Sequence, residues 1–264
     1  MHGVYIGNRR MLVVPRWGGR LIVPSDDLSL APELILNGLF EFPLTTFLVN
    51  GVRPGSTVID VGANLGYFTV LLGLLVGPSG RVLAYEPNPE LHSFLMDNLS
   101  LNYLHDRITV YRKAAYSSSA RIPLYMTRRF MGNTSIHRHD AEYAKHYVDE
   151  IQEIEVEAAP LDIHLGQVGH IDLLKMDIEG GEYRAFLGMR EMIERNAVTT
   201  VVFELNKTML QDDWRPLCDL LLELNRSYQR VFFTLSSQGN LVQADLDQLL
   251  AEGSNPFVVM QSRH

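Results

Sequence analysis

Short apolar runs alternate with longer apolar or amphipathic segments from residue 57 onward. The β-branched run 57–61 ends at a glycine, and segment 65–76 is apolar almost all round, as expected of a helix packed on a sheet. Runs at 82–85 and 108–111 predict two more strands, and between them the apolar positions of 89–101 recur at helical spacing. This alternation predicts a parallel sheet with helices on both faces.

The same alternation returns after residue 170. Runs at 171–176 and 198–204 predict two strands, with a helix from about residue 181 between them. The chain then gives a leucine-rich amphipathic helix and two closing strands, at 213–226, 231–235 and 257–261. We therefore expect a mostly parallel, seven-stranded sheet. Fold analogy suggests the strand order 3-2-1-4-5, with the last two strands at the far edge.

The first 50 residues are predicted to flank the sheet rather than to form a separate domain. Apolar runs at 11–14 and 20–23, separated by a proline and two glycines, predict a hairpin. One aspartate of the pair Asp26-Asp27 is expected to cap a helix that Gly38 ends. The rest of the chain, 51–264, is then one Rossmann-like domain.

Residues 120–157 interrupt the alternation of strand and helix. Strands are predicted at 122–126 and 151–157, and the polar stretch between them is expected to be a loop with a short helix. An inserted segment of this kind over the sheet is a natural position for a substrate lid.

Composition and charge narrow the classes of partner. With 46% hydrophobic and 20% charged residues, the 264-residue chain can bury a sizeable core. Its net charge of −8 repels phosphate backbones and argues against a nucleic-acid partner. The single cysteine, Cys218, excludes an intrachain disulfide. Without a signal peptide core at the N-terminus, and with no apolar stretch longer than 70–76, we expect a cytoplasmic protein without membrane contact.

The strongest local signal is the run VIDVGANLGYFT, which begins at residue 58, where the first strand turns into the first helix. Gly62 allows a backbone turn that a Cβ would hinder, and Gly66 allows a ligand or a helix to approach closely. Asp60 and Asn64 add polar groups at the mouth of the turn. Tyr67 is a candidate for shaping the crevice.

The spacing of these glycines differs from the G-x-G-x-x-G pattern that leaves room for a pyrophosphate. A carboxylate at the crevice suits a cationic ammonium or sulfonium better, so the residues favour S-adenosylmethionine over NAD. A glycine turn alone also fits other α/β proteins. Glu86 ends the second strand about 20 residues after Gly66, where an acid can accept hydrogen bonds from ribose hydroxyls. Alternatively, Glu86-Pro87-Asn88 is a solvated turn in which Asn88 caps the next helix.

Three segments in one order carry a resemblance to a known family: VIDVGANLGYFT, YEPNPE and LLKMDIEGGEYRAFLGM. With them, the chain resembles the FkbM family of methyltransferases over roughly residues 55–210. The K-x-D-x-E-G match at Lys175–Gly180 is the most family-specific part. Residues 158–162 stand at the family's T-L-D segment, but with Ala159-Pro160 where a threonine is expected before Leu161.

The resemblance implies a class I, Rossmann-like enzyme that methylates hydroxyl oxygens, often on sugars or secondary metabolites. It implies that the methionine end of S-adenosylmethionine lies near the first loop, the ribose at the acid that ends the second strand, and the adenine near the two following turns. The predicted cofactor-binding residues are Asp60, Gly62, Asn64, Gly66, Tyr67, Glu86, Pro87, Asn88, Lys113, Ala114, Ala115 and Asp177.

Three carboxylates are candidates for the chemistry: Asp177, Glu179 and Glu204. Each follows or ends a predicted strand, so all three are expected at the carboxyl edge of the sheet. A hydroxyl is a poor nucleophile at neutral pH, and clustered carboxylates raise one another's pKa, which favours a general base. They could equally hold Mg²⁺, with Asp177 and Glu204 as ligands. The alternatives give these residues no direct part in the chemistry. Asp177 then only orients the cofactor's amino group, Glu179 caps a helix, and Glu204 pairs with Lys175 or Lys207.

The inserted segment supplies the candidate substrate residues Asn133, Thr134, Ser135 and His137. Their amide, hydroxyl and imidazole groups could bind substrate hydroxyls, or they could form an ordinary solvated turn. The expected partner is a small molecule with a hydroxyl group, and a homodimer is one option for the assembly. Competing hypotheses are an NAD-dependent oxidoreductase, a non-catalytic cofactor-binding module and a nucleic-acid methyltransferase. The last lacks an N-P-P-Y or D-P-P-Y segment.

Overall fold

The architecture comes from a computed structural model that describes residues 3–139, 143–252 and 255–262. The strands are β1 Gly3–Gly7, β2 Arg10–Val13, β3 Leu21–Pro24, β4 Thr57–Val61, β5 Arg81–Tyr85, β6 Ile108–Tyr111, β7 Ala114–Ala115, β8 Ala120–Thr127, β9 Ile151–Ala159, β10 Ile171–Met176, β11 Val198–Glu204, β12 Val231–Leu235, β13 Leu241–Gln243 and β14 Phe257–Gln261. The α-helices are α1 Ala31–Asn37, α2 Phe42–Gly51, α3 Tyr67–Val76, α4 Pro89–Leu101, α5 Tyr143–His146, α6 Leu165–Val168, α7 Glu182–Gly188, α8 Arg190–Glu194, α9 Lys207–Leu210, α10 Trp214–Ser227 and α11 Leu246–Glu252. Short 3-10 turns occupy Met131–Asn133, Leu161–His164 and Gln211–Asp213.

Eight strands form the central sheet, in the order β13-β12-β14-β11-β10-β4-β5-β6. The five strands from β11 to β6 run parallel, whereas β14 pairs antiparallel with both β11 and β12. The predicted order 3-2-1-4-5, with two strands beyond it, is confirmed. The predicted count of seven is one too low, because β13 has three residues, all exposed, and is too short to show an alternating pattern.

Helices cover both faces of this sheet, as expected for the α/β class. Val58 belongs to a hydrophobic cluster with Leu72 of α3 and Leu95 of α4. Its neighbour Ile59 belongs to a second cluster with Leu221 of α10. Successive strand residues point to opposite faces, so β4 is buried on both sides, which is typical of a parallel sheet.

The N-terminal flank contains the predicted hairpin, formed by β2 and β3, and a third antiparallel strand, β1. The Asp27 carboxylate accepts hydrogen bonds from the backbone N–H groups of Leu30 and Ala31 at the start of α1. Gly38 ends that helix in the left-handed conformation, with φ 71°. Helix α2 was not predicted, and its Leu44 shares the hydrophobic cluster of α3 and α4. The domain boundary at residue 50 stays a prediction.

The inserted segment forms a sheet of its own. β8 and β9 pair antiparallel, and β7 adds a short parallel strand on the other side of β9. Between β8 and β9 lie the 3-10 turn at Met131–Asn133 and the short helix α5. Residues 140–142 of this stretch lie outside the described residues. The 3-10 turn faces the carboxyl edge of the central sheet through Gly132, which lines two cavities there.

Helix length and composition bear on membrane contact. In the part of the chain that the structure describes, no single helix is long and apolar enough to cross a bilayer. Taken together, α1 and α2 are long and apolar enough, although they are bent by 74° relative to each other. The expected absence of membrane contact stays a prediction.

Candidate functional site

A cavity opens at the carboxyl edge of the central sheet, beside the turn between β4 and α3. It encloses about 550 Å³ of empty space, part of it open to solvent. Eight of the predicted cofactor-binding residues line it, namely Gly62, Asn64, Glu86, Pro87, Lys113, Ala114, Ala115 and Asp177. That they bind a cofactor stays a prediction.

The turn after β4 can only be made with glycine at residue 62. Gly62 has a φ of 77°, and a Cβ there would lie 1.9 Å from the carbonyl oxygen of Asp177. The N–H groups of Gly62 and Ala63 donate to the carbonyl of Tyr85, at 3.0 and 2.9 Å. The loops after β4, β5 and β10 are thereby brought together at one wall of the cavity.

Glu86 joins the first two loops of the sheet edge. Its Oε2 accepts a hydrogen bond from the Asn64 N–H at 2.7 Å, and its Oε1 accepts one from the Asn88 N–H at 2.8 Å. Burial raises the pKa of Glu86 to about 7, although these two hydrogen bonds oppose the shift. The carboxylate is fixed by backbone groups and still has lone pairs for a ligand hydroxyl.

Asp60 lies behind the cavity instead of lining it, which differs from the predicted contact with a ligand's cationic group. Its side chain is fully buried, accepts a hydrogen bond from Thr69 Oγ1 at 2.6 Å and has Lys175 Nζ at 3.4 Å. The two strands pair Asp60 with Lys175, which explains the contact. Lys175 Nζ donates to the Gly62 carbonyl at 2.9 Å. Asp60 therefore orients a lysine that holds the turn.

Asn88, Gly66 and Tyr67 also differ from their predicted places in the first cavity. The Asn88 side chain caps α4 by accepting from the N–H groups of two residues of its first turn. A Cβ on Gly66 would meet Leu95 Cδ1 at 2.6 Å, so this glycine admits a helix and not a ligand. The Tyr67 hydroxyl accepts from the Phe40 N–H at 3.1 Å, and its ring lines a neighbouring cavity.

The three predicted catalytic carboxylates do meet. Oxygen atoms of Asp177, Glu179 and Glu204 all lie within 4.8 Å of one another. Burial, followed by the charge of Asp177, raises the pKa of Glu204 to about 8, with a hydrogen bond from Asn206 acting in the opposite direction. Burial, followed by the charge of Glu204, raises the pKa of Glu179 well above its usual range.

A fourth carboxylate, Glu41, joins this group from the N-terminal flank and was not predicted. It lines a cavity together with Asp177 and Glu179. Burial and the charge of Asp177 raise the pKa of Glu41 well above its usual range. No local motif marks Glu41 in the sequence, because only the packing of the flank on the sheet brings it here.

The turn after β10 places the Glu179 carboxylate beside those of Asp177 and Glu204. Glu179 and Gly180 have positive φ angles of 51° and 100°, a conformation that is uncommon for a glutamate. The Glu182 carboxylate accepts from the N–H groups of Ile178 and Gly180, at 3.1 and 2.9 Å. Glu182 therefore holds the turn, and among the described residues no side chain caps α7, so Glu179 does not have the capping role suggested for it. The alternative partner of Glu204, Lys207, lies instead with its Nζ 5.5 Å from the centroid of the Trp214 ring.

The inserted segment is attached to this turn by two of the predicted substrate residues. Ser135 Oγ donates to the Glu179 carbonyl at 2.6 Å. His137 Nε2 donates to the Gly180 carbonyl at 3.1 Å and lies 3.6 Å from an Asp213 carboxylate oxygen. These contacts give both side chains a structural place that differs from the predicted one. Their substrate role stays a prediction.

Two further cavities meet the first at Glu179. One encloses about 620 Å³, part of it open to solvent, and shares Gly62, Asn64, Asp177 and Glu179 with the first cavity. The other is a groove of about 1060 Å³, also partly open, between α5 and the α9 region. Of the remaining predicted substrate residues, Thr134 lines the first cavity, and Asn133 lines the other two. Glu179 thus stands where all three spaces join.

Sequence comparison relates this chain to one domain family and to individual methyltransferases. The profile of the Methyltransferase FkbM domain matches residues 60–241, which is more than half of the chain. Methyltransferase sdnD of Sordaria araneosa is 24% identical over 184 residues, covering 60% of this chain and 66% of that protein. A protein-L-isoaspartate O-methyltransferase of Aeropyrum pernix is 51% identical over 47 residues, 18% of each chain. The chain thus spans less than two thirds of each of these two relatives.

Solved structures resemble the fold at low sequence identity. A putative rRNA-methylase from Clostridium thermocellum has a TM-score of 0.48 and 11% identity, covering 83% of this chain and 95% of its own. The cofactor-bound Rv0187 from MTB has a TM-score of 0.47 and 14% identity, covering 86% and 82%. At this level of similarity, neither structure informs the substrate of this chain.

Proposed function

We propose, given that the chain belongs to the FkbM methyltransferase family, that it transfers a methyl group from S-adenosylmethionine to a hydroxyl oxygen of a small molecule, such as a sugar or a secondary metabolite. One observation carries this proposal. The cavity at the carboxyl edge of the sheet joins the loops after β4, β5 and β10, and two of the three clustered carboxylates, Asp177 and Glu179, line it. Membership of a methyltransferase family also argues against the oxidoreductase alternative.

The residues of the first cavity fit the parts of the proposed cofactor. Glu86 keeps lone pairs for ribose hydroxyls, and the short side chains of Ala114 and Ala115 leave room for a planar base. Gly62 lets the turn after β4 pack against the backbone of Asp177, which keeps the two loops together at the wall of the cavity. Asp177 offers a negative charge for an ammonium group. When bound, S-adenosylmethionine supplies a methyl group activated by its positively charged sulfur, to which the electrons of the breaking bond return.

The chain's own contribution to the chemistry is to hold the acceptor and to take up its proton. The hydroxyl proton must leave as the new oxygen–carbon bond forms, and Asp177, Glu179 and Glu204 are the candidates to receive it. Because these carboxylates stand close together, each makes the others better proton acceptors. Positioning of the two reactants supplies the rest of the rate enhancement.

The groove between α5 and α9 supports a hydroxylated ring as the acceptor. Its walls combine the rings of Tyr143 and Tyr147 with the side chains of Asn133, Asn206 and Thr208. The two tyrosine rings stack on each other, and Tyr143 also stacks on His139. Amide and hydroxyl groups in the same wall can bind the hydroxyls of a ring. With a net charge of −8, a nucleic acid is not proposed as the partner. The cytoplasmic location and the homodimer stay predictions.

A methyl-transfer assay tests this proposal. The purified chain is incubated with S-adenosylmethionine carrying a labelled methyl group and with a panel of glycosides and polyketide alcohols. We expect label in at least one acceptor, recovered as an O-methyl ether by mass spectrometry, and no label with the Glu204→Gln variant. Labelled nitrogen or carbon in place of oxygen would contradict O-methylation. A chain that binds the cofactor yet labels no acceptor of any class would favour a non-catalytic binding module.

A further inference from the structure

The geometry of three carboxylates matches that of ligands around one ion. Oxygen atoms of Asp177, Glu179 and Glu204 lie within 4.8 Å of one another. A hard divalent cation binds carboxylate oxygens at about 2.0–2.6 Å, so two ligands on opposite sides of it are at most about 5 Å apart. The three oxygens can therefore reach a single ion with small side-chain adjustments.

A second observation, independent of this triad, comes from the flank. Glu41 Oε2 is buried, and it accepts no hydrogen bond from any residue that the structure describes. Glu41 stands at the start of α2 without capping it, and it lines the same cavity as Asp177 and Glu179. Buried acceptors are nearly always satisfied in proteins, so an orphan oxygen here indicates a donor from outside the chain.

The charges of the cluster are also unbalanced. Within the described ranges, the ion pairs of these four carboxylates involve one cation, Lys175, whose Nζ lies 3.9 Å from Asp177 Oδ2. The same Nζ is closer to Asp60, at 3.4 Å, and donates to the Gly62 carbonyl. Lys175 lines the same cavity as Glu41, but its single charge is shared between Asp60 and Asp177. The repulsion among the four carboxylates calls for a positive charge from solution.

We propose that Glu41, Asp177, Glu179 and Glu204 form a binding site for a hard divalent cation such as Mg²⁺ or Mn²⁺. Asp177, Glu179 and Glu204 are the direct ligands, and Glu41 accepts a hydrogen bond from an ion-bound water. The sequence suggested a metal at Asp177 and Glu204, and the structure adds Glu179 and, from the flank, Glu41. Mg²⁺ characteristically keeps several bound waters, which fits a water between the ion and Glu41.

The cation would serve the proposed methyl transfer, and this catalytic part rests on the proposed function. A divalent ion would stabilise the deprotonated form of a nearby hydroxyl, whose proton would pass to a carboxylate oxygen of the cluster that is not bound to the ion. Binding of the ion itself depends only on the four side chains. It can be measured without an acceptor or a cofactor.

Manganese titration of the intact, chelator-treated chain tests the site, with free Mn²⁺ followed by electron paramagnetic resonance. We expect one saturable site from which Mg²⁺ displaces Mn²⁺. Glu204→Gln should abolish it, because a ligand is lost. Glu41→Gln should weaken it about 10-fold to 100-fold, the usual effect of a partner outside the first coordination shell. Glu153→Gln, an exposed carboxylate on β9, is the matched control and should leave the affinity unchanged.

Three outcomes would overturn the site and leave the proposed function intact. The first is a wild-type chain that binds S-adenosylhomocysteine but no Mn²⁺ at millimolar concentrations. The second is Mn²⁺ binding that Glu204→Gln and Glu41→Gln leave unchanged. The third is a Glu41→Gln variant that loses S-adenosylhomocysteine affinity alone, which would assign the cluster to the cofactor's ammonium. Circular dichroism checks that each variant is folded. Because glutamine removes charge without changing size, relief of repulsion favours folding of both variants.

Discussion

The cleft at the carboxyl edge of the sheet has two sides, and their carboxylates differ in the hydrogen-bond partners that the chain gives them. On the side of β4 and β5, Glu86 has a backbone N–H on each oxygen, and Asp60 has a threonine hydroxyl and a lysine. On the side of β10 and β11, Asp177, Glu179 and Glu204 face one another. On the first side, three of the four carboxylate oxygens accept hydrogen bonds from the chain, and the fourth, Asp60 Oδ1, has the Lys175 ammonium at 3.4 Å. The second side requires a proton or a cation from outside, so we assign binding to the first and chemistry to the second.

This difference follows from how each side is built. The parallel register places Lys175 beside Asp60, and the tight turn at Gly62 points N–H groups at the end of β5. Those partners belong to the sheet and are fixed when it folds. The cluster on the other side draws Glu41 from the flank and Glu179 from a strained turn, without backbone donors to match them. The protein can fold with such a cluster, and the cluster keeps uncompensated negative charge that a ligand can neutralise.

The largest effect is expected from Glu204→Gln, which removes charge from the second side alone. Loss of a proton acceptor or a metal ligand should lower turnover by about 100-fold to 10,000-fold. Affinity for S-adenosylhomocysteine should change far less, since Glu86 and the first turn are untouched. Steady-state kinetics and calorimetry on the same preparation give both numbers. Equal losses in turnover and affinity would contradict the assignment of binding to the first side and of chemistry to the second.

A large effect on stability is expected from Gly62→Ala on the first side. The added Cβ would meet the Asp177 carbonyl oxygen at 1.9 Å, so the turn must move. Gly55→Ala is the matched control, because Gly55 also has a positive φ, 89°, but its Cβ would have only Ser79 Oγ nearby, at 3.6 Å. We expect the control to lose about 1 kcal/mol of unfolding free energy, and Gly62→Ala to lose clearly more. Urea denaturation measures both, and equal losses would contradict the close contact.

The smallest effect is a change in pH dependence. The folded-state pKa of Glu86 is about 7, above its usual value near 4.5. Its stabilising contribution is therefore complete below about pH 4.5 and is lost as the pH rises through 7. Glu86→Gln should flatten the decline in unfolding free energy over this window by on the order of 1 kcal/mol. An unchanged pH profile would show that Glu86 is not buried as described.

The sequence was sufficient for elements that depend on local pattern. The positions of the five parallel strands and the Gly62 turn follow from local pattern, and the meeting of three carboxylates follows from strand ends in a parallel sheet. The strand order came from fold analogy. The sequence was insufficient where tertiary packing decides. Asp60 is drawn behind the cavity by its pairing with Lys175, and Glu41 reaches the site only because the flank packs on α3. Asn88 had been given two roles from sequence, and the structure supports the cap.

The most direct test of the account is the binding of S-adenosylhomocysteine at the first side of the cleft, measured by calorimetry without added metal. The account predicts saturable one-to-one binding to the wild-type chain, no binding of NAD⁺, and a loss of about 10-fold or more in Glu86→Ala, which removes the group proposed for the ribose. Glu90→Ala, four residues away on the exposed side of α4, should bind like the wild type. Binding of NAD⁺ in place of S-adenosylhomocysteine, or full affinity in Glu86→Ala, would contradict the account.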